Sequence, residues 1–280
     1  MKNIFVVGAG TMGLDIAQVF ASAGCAVIVN DVNAEILDRA AERLKKGLDK
    51  RVERGKMERQ AADVIIGAIS FTTEHEKAVS CDLVIEAIIE NAQLKRELFK
   101  KLDCICPEKT VFATNTSSIS ITEIASATTR TDRFIGMHFF NPATVMKLVE
   151  VIRGMNTSDE TFEAVKALSV RIGKEPVEVA EAPGFVVNRI LIPMINEAIE
   201  LVQNGVASPE DIDSAMKLGA NHPMGPLALG DLIGLDVCLA IMDTLYGETH
   251  DGKYRASTLL RKMVRAGRLG RKSGRGFFEY

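Results

Sequence analysis

The sequence contains no run of about 18 or more apolar residues, which is the length a helix needs to cross a bilayer. A short apolar stretch at the start resembles the core of a signal peptide, but three glycines interrupt it and no small-residue cleavage site follows. The chain also lacks a strong charge of either sign, with 34 Lys and Arg against 37 Asp and Glu. Composition therefore gives no reason to expect binding to a membrane or to nucleic acid.

Cysteine is scarce as well: there are five, and their spacing is not that of a disulfide framework. Cys104 and Cys106 form a C-x-C pair, but no second pair completes a zinc site, so no metal is expected. Unpaired cysteines are typical of a reducing compartment, and we therefore expect a cytoplasmic location.

What the chain does contain is enough apolar material for a buried core, with 47% hydrophobic and 25% charged residues among 280. In residues 1–182, short apolar runs alternate with helical patterns. This alternation predicts a Rossmann-like α/β fold with a doubly wound, mostly parallel sheet covered on both faces. The pattern changes at Ala182-Pro183-Gly184, and residues 183–280 are expected to form a separate, all-helical domain.

Three individual elements are predicted from local patterns. Asn33 is expected to cap a long helix over residues 34 to about 54. The β-branched residues within 65–71 predict a strand. The apolar residues within 227–245 predict one continuous helix in the second domain.

A glycine motif lies between the first predicted strand and the first predicted helix: Gly8-Ala9-Gly10-Thr11-Met12-Gly13 has the form G-x-G-x-x-G. Gly8 permits a tight turn, Gly10 lets backbone N–H groups approach a pyrophosphate, and Gly13 lets the helix pack closely on the strand. The positive end of the helix then faces the phosphates. We therefore assign Gly8, Gly10, Thr11, Met12 and Gly13 to the binding of a dinucleotide.

Asp31 ends the second predicted strand, 18 residues after Gly13. An acidic side chain there can accept hydrogen bonds from the ribose hydroxyls of NAD and would repel the 2′-phosphate of NADP. NAD is therefore the expected cofactor, and NADP is the less favoured alternative. A glycine-rich turn followed by a helix-capping Asp is the purely structural interpretation, and it accounts for fewer of these features.

His138 and Glu150 each lie in an apolar, strand-like segment. Because an unpaired buried carboxylate is costly, the two are expected to pair, with the carboxylate orienting the imidazole as a base that takes a proton from an alcohol. A core histidine without a chemical role is the alternative. The polar segment 114–118 follows another predicted strand, and the residues alone leave open whether it binds a ligand or caps a helix.

These motifs together resemble the 3-hydroxyacyl-CoA dehydrogenase family, most closely the short bacterial 3-hydroxybutyryl-CoA dehydrogenases. The resemblance covers nearly the whole chain. Its other segments are Val84-Ile85-Glu86-Ala87, Glu90-Asn91, Asn115-Thr116-Ser117-Ser118, Gly136-Met137-His138-Phe139-Phe140-Asn141-Pro142, Met146-Lys147-Leu148-Val149-Glu150-Val151, Pro183-Gly184-Phe185-Val186-Val187-Asn188-Arg189, His222-Pro223-Met224-Gly225-Pro226 and Gly270-Arg271-Lys272-Ser273-Gly274.

The resemblance implies an NAD-dependent oxidoreductase of fatty acid and butanoate metabolism that interconverts short-chain (S)-3-hydroxyacyl-CoA and 3-oxoacyl-CoA, such as acetoacetyl-CoA. His138 would be the general acid or base, and Glu150 would orient it. Ser117 and Asn188 would hydrogen-bond the reacting oxygens of the substrate. The positions near the dinucleotide, besides those above, would be Glu90, Lys95, Asn115, Ser117, Asn141 and Lys272.

The same resemblance implies a homodimer, an active site formed between the NAD-binding domain and the helical substrate and dimerisation domain, and an acyl-CoA substrate. Taken alone, Asn188 is equally consistent with a helix cap, and Lys95 with a solvated neighbour of Glu90.

Lys50 and Arg54 are four residues apart and therefore share a face of the predicted long helix. Two cations there can hold the phosphates of coenzyme A, but a solvated charged helix face is equally consistent. Two other functions remain: a two-domain dehydrogenase of a non-CoA hydroxyacid, and a non-catalytic NAD-binding protein. The presence of Ser117, His138, Glu150 and Asn188 together argues against the second of these.

The sequence departs from the family's usual pattern at two places. Leu14-Asp15 stands where a small pair is usual, and Thr144 stands where a proline is common. Asp15 is expected to be favourable because it lies near the N-terminus of a helix. We expect these departures to change local geometry and cofactor affinity but not the reaction.

Overall fold

A single eight-stranded sheet organises the first part of the computed structural model, which describes residues 1–280 and divides into two units, 1–181 and 182–280. The strands are β1 (Asn3–Val7), β2 (Ala26–Asn30), β3 (Ile69–Thr72), β4 (Leu83–Glu86), β5 (Val111–Thr114), β6 (Phe134–Phe139), β7 (Leu148–Arg153) and β8 (Glu175–Ala180). The helices of this unit are α1 (Thr11–Ser22), α2 (Ala34–Glu53), α3 (Arg59–Gly67), α4 (Ala92–Ile105), α5 (Ile121–Ala125) and α6 (Asp159–Arg171).

The strands are ordered β3-β2-β1-β4-β5-β6-β7-β8, and every neighbouring pair is parallel except β6 with β7. The chain therefore winds outward in both directions from β1, which is the doubly wound arrangement. In such sheets ligands bind outside the carboxyl ends of the strands, where the strand order reverses. The predicted Rossmann-like fold class is confirmed.

The central strands form because their sequences are apolar on both faces. Ile4, Phe5 and Val6 of β1 are completely buried, and so are the apolar residues of β4. Strands of a parallel sheet are covered on both sides and read as continuous apolar runs, which is why the sequence revealed them.

The strand predicted over residues 65–71 is wrong in its first half, because Arg59–Gly67 forms α3 and only Ile69–Thr72 forms a strand. Ala62 and Ile65 are buried, whereas Val64 is 61% exposed. One buried face with helical spacing therefore outweighs the β-preference of these branched residues.

The second unit contains only helices: α7 (Val187–Gln203), α8 (Pro209–Gly219), α9 (Pro226–Ile233), α10 (Leu235–Thr249) and α11 (Thr258–Arg265). The single helix predicted over 227–245 is wrong, because Gly234 breaks it with a φ of 105° between α9 and α10. Only glycine adopts such a backbone conformation readily. None of the helices combines the length and the apolar character that crossing a bilayer requires.

The C-terminal segment of this unit is anchored on Asp231, which is almost completely buried. Its carboxylate accepts the backbone N–H groups of Phe277 and Phe278, at 3.1 and 3.0 Å, and the hydroxyl of Tyr280 at 3.2 Å. These bonds satisfy the buried charge and hold the segment that follows the turn carrying Lys272.

Candidate active site

The candidate residues of the first unit gather at one edge of the sheet. Parallel strands point their carboxyl ends in the same direction, so the segments that follow β1, β2, β4, β5 and β6 meet there. In that order, these segments carry the glycine loop, Asp31, Glu90, Asn115 with Ser117, and Asn141.

The glycine loop is shaped by close backbone contacts at two of its glycines. Gly8 has a φ of 103°, and its N–H donates to the carbonyl of Asn30 at 2.8 Å. A Cβ atom on Gly13 would lie only 1.8 Å from the carbonyl oxygen of Gly8. Any side chain on Gly13 would therefore push α1 away from β1.

Gly10 differs from these two, because no atom lies within 4 Å of the position its Cβ would take. Gly10 also precedes α1, and no side chain caps that helix. The first N–H groups of α1 thus have no side-chain cap at the helix N-terminus, which is an arrangement suited to phosphate. The loop therefore fits the pyrophosphate of a dinucleotide.

Two side chains hold the glycine loop from neighbouring elements. Oδ2 of Asp31 accepts the N–H of Ala9 at 2.9 Å, and Nη2 of Arg43 on α2 donates to the carbonyl of Gly10 at 2.9 Å. Oδ1 of Asp31 makes no hydrogen bond within the protein. Asp31 can therefore support the loop with one oxygen and present the other to a ribose.

A buried ion pair lies beneath this edge. Nζ of Lys95 on α4 is 2.6 Å from Oε1 of Glu86 at the end of β4, and both side chains are at most 1% exposed. Oε2 of Glu86 accepts the hydroxyl of Thr114 at 2.7 Å. Burial raises the pKa of Glu86, against the opposing charge of Lys95. The alternative that Lys95 is a solvated side chain is therefore wrong.

Glu90 connects this pair to the polar segment after β5. Its Oε2 lies 3.3 Å from Nζ of Lys95, and its Oε1 accepts the hydroxyl of Thr116 at 2.6 Å and the N–H of Ser117 at 2.7 Å. Burial alone would raise the pKa of Glu90, but the charge of Lys95 and these hydrogen bonds outweigh it and lower the pKa. The segment is thus organised around one carboxylate.

Asn115 also bridges two strands: its Oδ1 accepts the N–H of Phe139, at the end of β6, at 2.8 Å. This bond joins the carboxyl ends of β5 and β6. Asn115 is therefore held beside the strand that carries His138.

His138 and Glu150 face each other across the antiparallel pair of β6 and β7, and Nδ1 of His138 lies 2.8 Å from Oε2 of Glu150. The two residues are 6% and 1% exposed. In the tautomer whose Nδ1–H donates to the carboxylate, Nε2 is the acceptor. The pair has the geometry of an imidazole base oriented by a carboxylate.

Two candidates lie in the second unit. Asn188 is buried and is the second residue of α7. The N-cap position of α7 is Val186, so Asn188 is not the helix cap that the sequence left open. Lys272 forms an ion pair with Asp236, with Nζ 2.6 Å from Oδ2. Within its own unit, Lys272 is thus already held by a carboxylate.

Lys50 and Arg54, which the sequence placed on one helix face, lie at the end of α2, where Lys50 belongs to the last turn and Arg54 follows the helix. Both are exposed, and neither forms an ion pair. Two unpaired cations so close together can meet an anionic ligand or remain solvated.

Sequence reasoning missed Glu86 and Arg43 as supporting residues. The signal for Glu86 was present, because a carboxylate directly following the apolar run Leu83-Val84-Ile85 must have a partner if the strand is buried. Arg43 carried no comparable signal, since it lies 33 residues from the carbonyl it contacts.

Comparisons with known proteins give consistent results over the whole chain. Residues 3–182 match the family model "3-hydroxyacyl-CoA dehydrogenase, NAD binding domain", and residues 184–280 match "3-hydroxyacyl-CoA dehydrogenase, C-terminal domain". The chain is 57% identical to the 3-hydroxybutyryl-CoA dehydrogenase of Clostridioides difficile over 99% of both chains. It is 56% identical to a probable 3-hydroxybutyryl-CoA dehydrogenase of Bacillus subtilis, over all of this chain and 98% of that protein.

Among solved structures, the chain is similar to an (S)-3-hydroxybutyryl-CoA dehydrogenase from Ralstonia eutropha. The TM-score is 0.96 at 50% sequence identity, covering all of this chain and 99% of the other.

Proposed function

The chain belongs to the 3-hydroxyacyl-CoA dehydrogenase family, and from this membership we propose that it interconverts short-chain (S)-3-hydroxyacyl-CoA and 3-oxoacyl-CoA with NAD(H). The pair 3-hydroxybutyryl-CoA and acetoacetyl-CoA is the proposed substrate and product. The observation that carries the proposal is the buried contact of 2.8 Å between His138 and Glu150, because it supplies the base that oxidation of an alcohol needs.

In the oxidation direction, Nε2 of His138 accepts the proton of the 3-hydroxyl group, while a bound nicotinamide supplies the hydride acceptor. Glu150 holds the ring through Nδ1 and stabilises the imidazolium as it forms. In the reverse direction, His138 returns the proton to the oxygen. Ser117 and Asn188 are proposed to hydrogen-bond the substrate oxygens, and no metal takes part.

We propose NAD rather than NADP as the preferred cofactor. The free oxygen of Asp31 suits a ribose hydroxyl, and its charge would repel a 2′-phosphate at the same place. Glu90, Lys95, Asn115 and Ser117 would complete the site around the nicotinamide half, and Asn141 and Lys272 are proposed to contribute to it.

The coenzyme A group is proposed to bind at Lys50 and Arg54 through its phosphates. Both cations are exposed and without an acidic partner, which supports the proposal. Neutralising both, with Lys50→Met and Arg54→Met, should raise KM for acetoacetyl-CoA but leave KM for a small 3-oxoacid unchanged. Equal KM values for the variant and the wild type with acetoacetyl-CoA would contradict this site.

We also propose a homodimer formed through the second unit. Ile190, Val206 and Leu218 are between 65% and 88% exposed there. Exposed apolar side chains of this kind could be covered by a second copy of the chain if they adjoin one another on the surface. Light scattering should give twice the mass of 30.4 kDa, and a monomer mass would contradict the proposal.

A cytoplasmic location is the last part of the proposal. The five cysteines are free thiols, four of them buried, and thiols persist in a reducing compartment. Detection of the protein in the secreted fraction of its source cells would contradict this location.

The decisive test is NADH oxidation followed at 340 nm with acetoacetyl-CoA. His138→Gln should lower kcat by about 10²–10⁴-fold, the usual contribution of a general acid or base. NADH binding, measured by fluorescence, should change little. His250→Gln, at an exposed histidine of the second unit, is the matched control and should keep the wild-type kcat. Equal losses of kcat and NADH affinity in His138→Gln would contradict the assignment.

A further inference from the structure

The loop over residues 140–147 connects the strand of His138 to the strand of Glu150. In its middle, Ala143 is completely buried, although Pro142 and Thr144 on either side are exposed. The loop turns sharply, because the N–H of Val145 donates to the carbonyl of Pro142 at 3.0 Å. Ala143 therefore packs the middle of this loop into the hydrophobic core of the unit.

Two side chains of opposite charge hold Ala143 from outside the loop. Oδ2 of Asp15, on α1, accepts the N–H of Ala143 at 3.2 Å. Nζ of Lys174, which precedes β8, donates to the carbonyl of Ala143 at 2.5 Å and to that of Met146 at 2.6 Å. We call Asp15, Ala143 and Lys174 the Ala143 clamp.

Both charges are partly or largely removed from water. Lys174 is 7% exposed, and burial lowers its pKa against the opposing charge of Asp15. Burial likewise raises the pKa of Asp15, against the hydrogen bond from Ala143 and the charge of Arg43. Charges at such positions persist where their partners hold them, and here both charges bond to backbone groups of the 140–147 loop.

The clamp also reaches the glycine loop. Asp15 lies on α1 five residues after Gly10, and Arg43, whose charge acts on Asp15, donates to the carbonyl of Gly10 at 2.9 Å. One electrostatic network thus joins the dinucleotide helix to the loop between the two strands of the candidate base pair.

The two departures from the family pattern meet at this point. The backbone N–H of Thr144, like that of Ala143, acts to lower the pKa of Asp15, although burial outweighs both. A proline at position 144 would have no N–H to offer. Asp15 and Thr144 therefore complement each other in this chain.

We propose that Asp15 and Lys174 are positioning residues that fix the 140–147 loop relative to α1, so that His138 and Glu150 stay aligned with a dinucleotide bound at the glycine loop. The inference rests on the proposed function for its catalytic consequence. It concerns loop geometry, however, and can be measured without turnover.

The first test uses Lys174→Met, which keeps the length of the side chain and removes its charge and donors. Amide hydrogen exchange in peptides covering 140–147 should become about tenfold faster or more, while peptides from β1 and β4 keep their wild-type rates. The matched control is Lys166→Met on α6, where the lysine side chain is 45% exposed and contacts Glu163 and the ring of Phe162. Unchanged exchange over 140–147 in Lys174→Met would overturn the clamp.

The second test is kinetic and is made well below the unfolding temperature of each variant. Lys174→Met should lower kcat by about tenfold or more, because small displacements of reacting groups are costly. KM for acetoacetyl-CoA should stay within about twofold, since the clamp is expected to act on alignment at the reacting groups. Faster exchange with a wild-type kcat would show that the clamp only stabilises the loop and would overturn its positioning role.

Variants at Asp15, the other charged residue of the clamp, test the proposal independently in case Lys174→Met does not fold. Asp15→Ala should accelerate exchange over 140–147, and Asp15→Asn, which keeps an acceptor, should do so less. Thr144→Pro should cost less kcat in an Asp15→Ala background than in the wild type, because the N–H of Thr144 acts on the carboxylate that Asp15→Ala removes. Purely additive losses would overturn their coupling. If the wild type itself fails to reduce acetoacetyl-CoA, the proposed function fails, while the exchange results still decide the clamp.

Discussion

Nζ of Lys95 lies 2.6 Å from Oε1 of Glu86, and water reaches neither side chain. Both oxygens of Glu86 are engaged: besides Lys95, they accept the N–H of Ile88 and the hydroxyl of Thr114, both at 2.7 Å. A buried charge stripped of its partner is much more costly than a buried pair. The pair therefore makes the fold depend on two residues that lie directly beneath the candidate active site.

The first prediction follows from this dependence. Glu86→Gln keeps the size of the side chain but leaves the ammonium of Lys95 with Glu90 alone, so it should lower the free energy of unfolding by about 3–5 kcal/mol. Urea unfolding at pH 7 measures the loss. Glu74→Gln is the control, because Glu74 pairs with Lys77 on the surface, where both side chains are more than half exposed, and should show a far smaller change. Similar losses in the two variants would refute the buried pair.

The second prediction separates the roles of the glycines in the loop. Gly13→Ala would place Cβ 1.8 Å from the carbonyl oxygen of Gly8, so the backbone must move and stability should fall by about 1–3 kcal/mol or more. Gly10→Ala meets no atom within 4 Å, so it should fold with wild-type stability and lose NADH affinity by about tenfold or more, because its methyl group takes the space of the pyrophosphate. Thermal unfolding and NADH fluorescence titration measure both quantities. Full NADH affinity in Gly10→Ala would show that the phosphates bind elsewhere.

The third prediction concerns cofactor choice. Asp31→Ala removes the charge that repels a 2′-phosphate, and it also removes the bond of 2.9 Å to the N–H of Ala9. The ratio of kcat/KM for NADH to kcat/KM for NADPH should therefore fall, mainly because kcat/KM for NADH decreases. Asp38→Ala, on an exposed face of α2, is the control and should leave the ratio unchanged. An unaltered ratio in Asp31→Ala would remove Asp31 from the ribose site.

Much of the first unit was predictable because its signals are local. Strands buried on both faces appear in the sequence as apolar runs, and the G-x-G-x-x-G spacing identifies the glycine loop. His138 and Glu150 were placed in neighbouring strands, but their antiparallel pairing was not recognised. A parallel crossover needs a dozen or more residues, and the 140–147 loop has only eight. The loop length therefore predicts that the two strands are antiparallel.

The remaining features depend on contacts between distant residues. Asp15 and Ala143 are 128 residues apart, and no local pattern links them. Lys95 belongs to a different element from Glu86, so the sequence could not show which lysine neutralises that carboxylate. The break at Gly234 was hidden because the residues around it are apolar on both sides, and periodicity alone does not reveal a change of backbone direction.

A final prediction concerns stability at low pH. Oδ1 of Asp103 accepts Nε of Arg130 at 2.6 Å, and Oδ2 accepts the N–H of Thr129 at 2.8 Å. Burial opposes ionisation here, but these partners outweigh it and lower the pKa of Asp103 below its usual 3.8. A carboxyl group whose pKa is lowered by folding contributes stability above its unfolded pKa and loses it as the pH falls through the folded value.

Asp103→Asn should therefore lower the free energy of unfolding at pH 7 by about 1.5–3 kcal/mol, the usual contribution of a hydrogen bond to a charged group. The deficit should stay constant down to about pH 4 and shrink below it, because the wild-type carboxyl group then becomes protonated as well. Urea unfolding at pH 7, 5, 4 and 3.5 measures this trend. Asp63→Asn, at an exposed carboxylate 3.7 Å from Arg59, should show little change at any of these pH values. A deficit in Asp103→Asn that is the same at pH 3.5 as at pH 7 would mean that the charge of Asp103 contributes nothing and that only its shape matters.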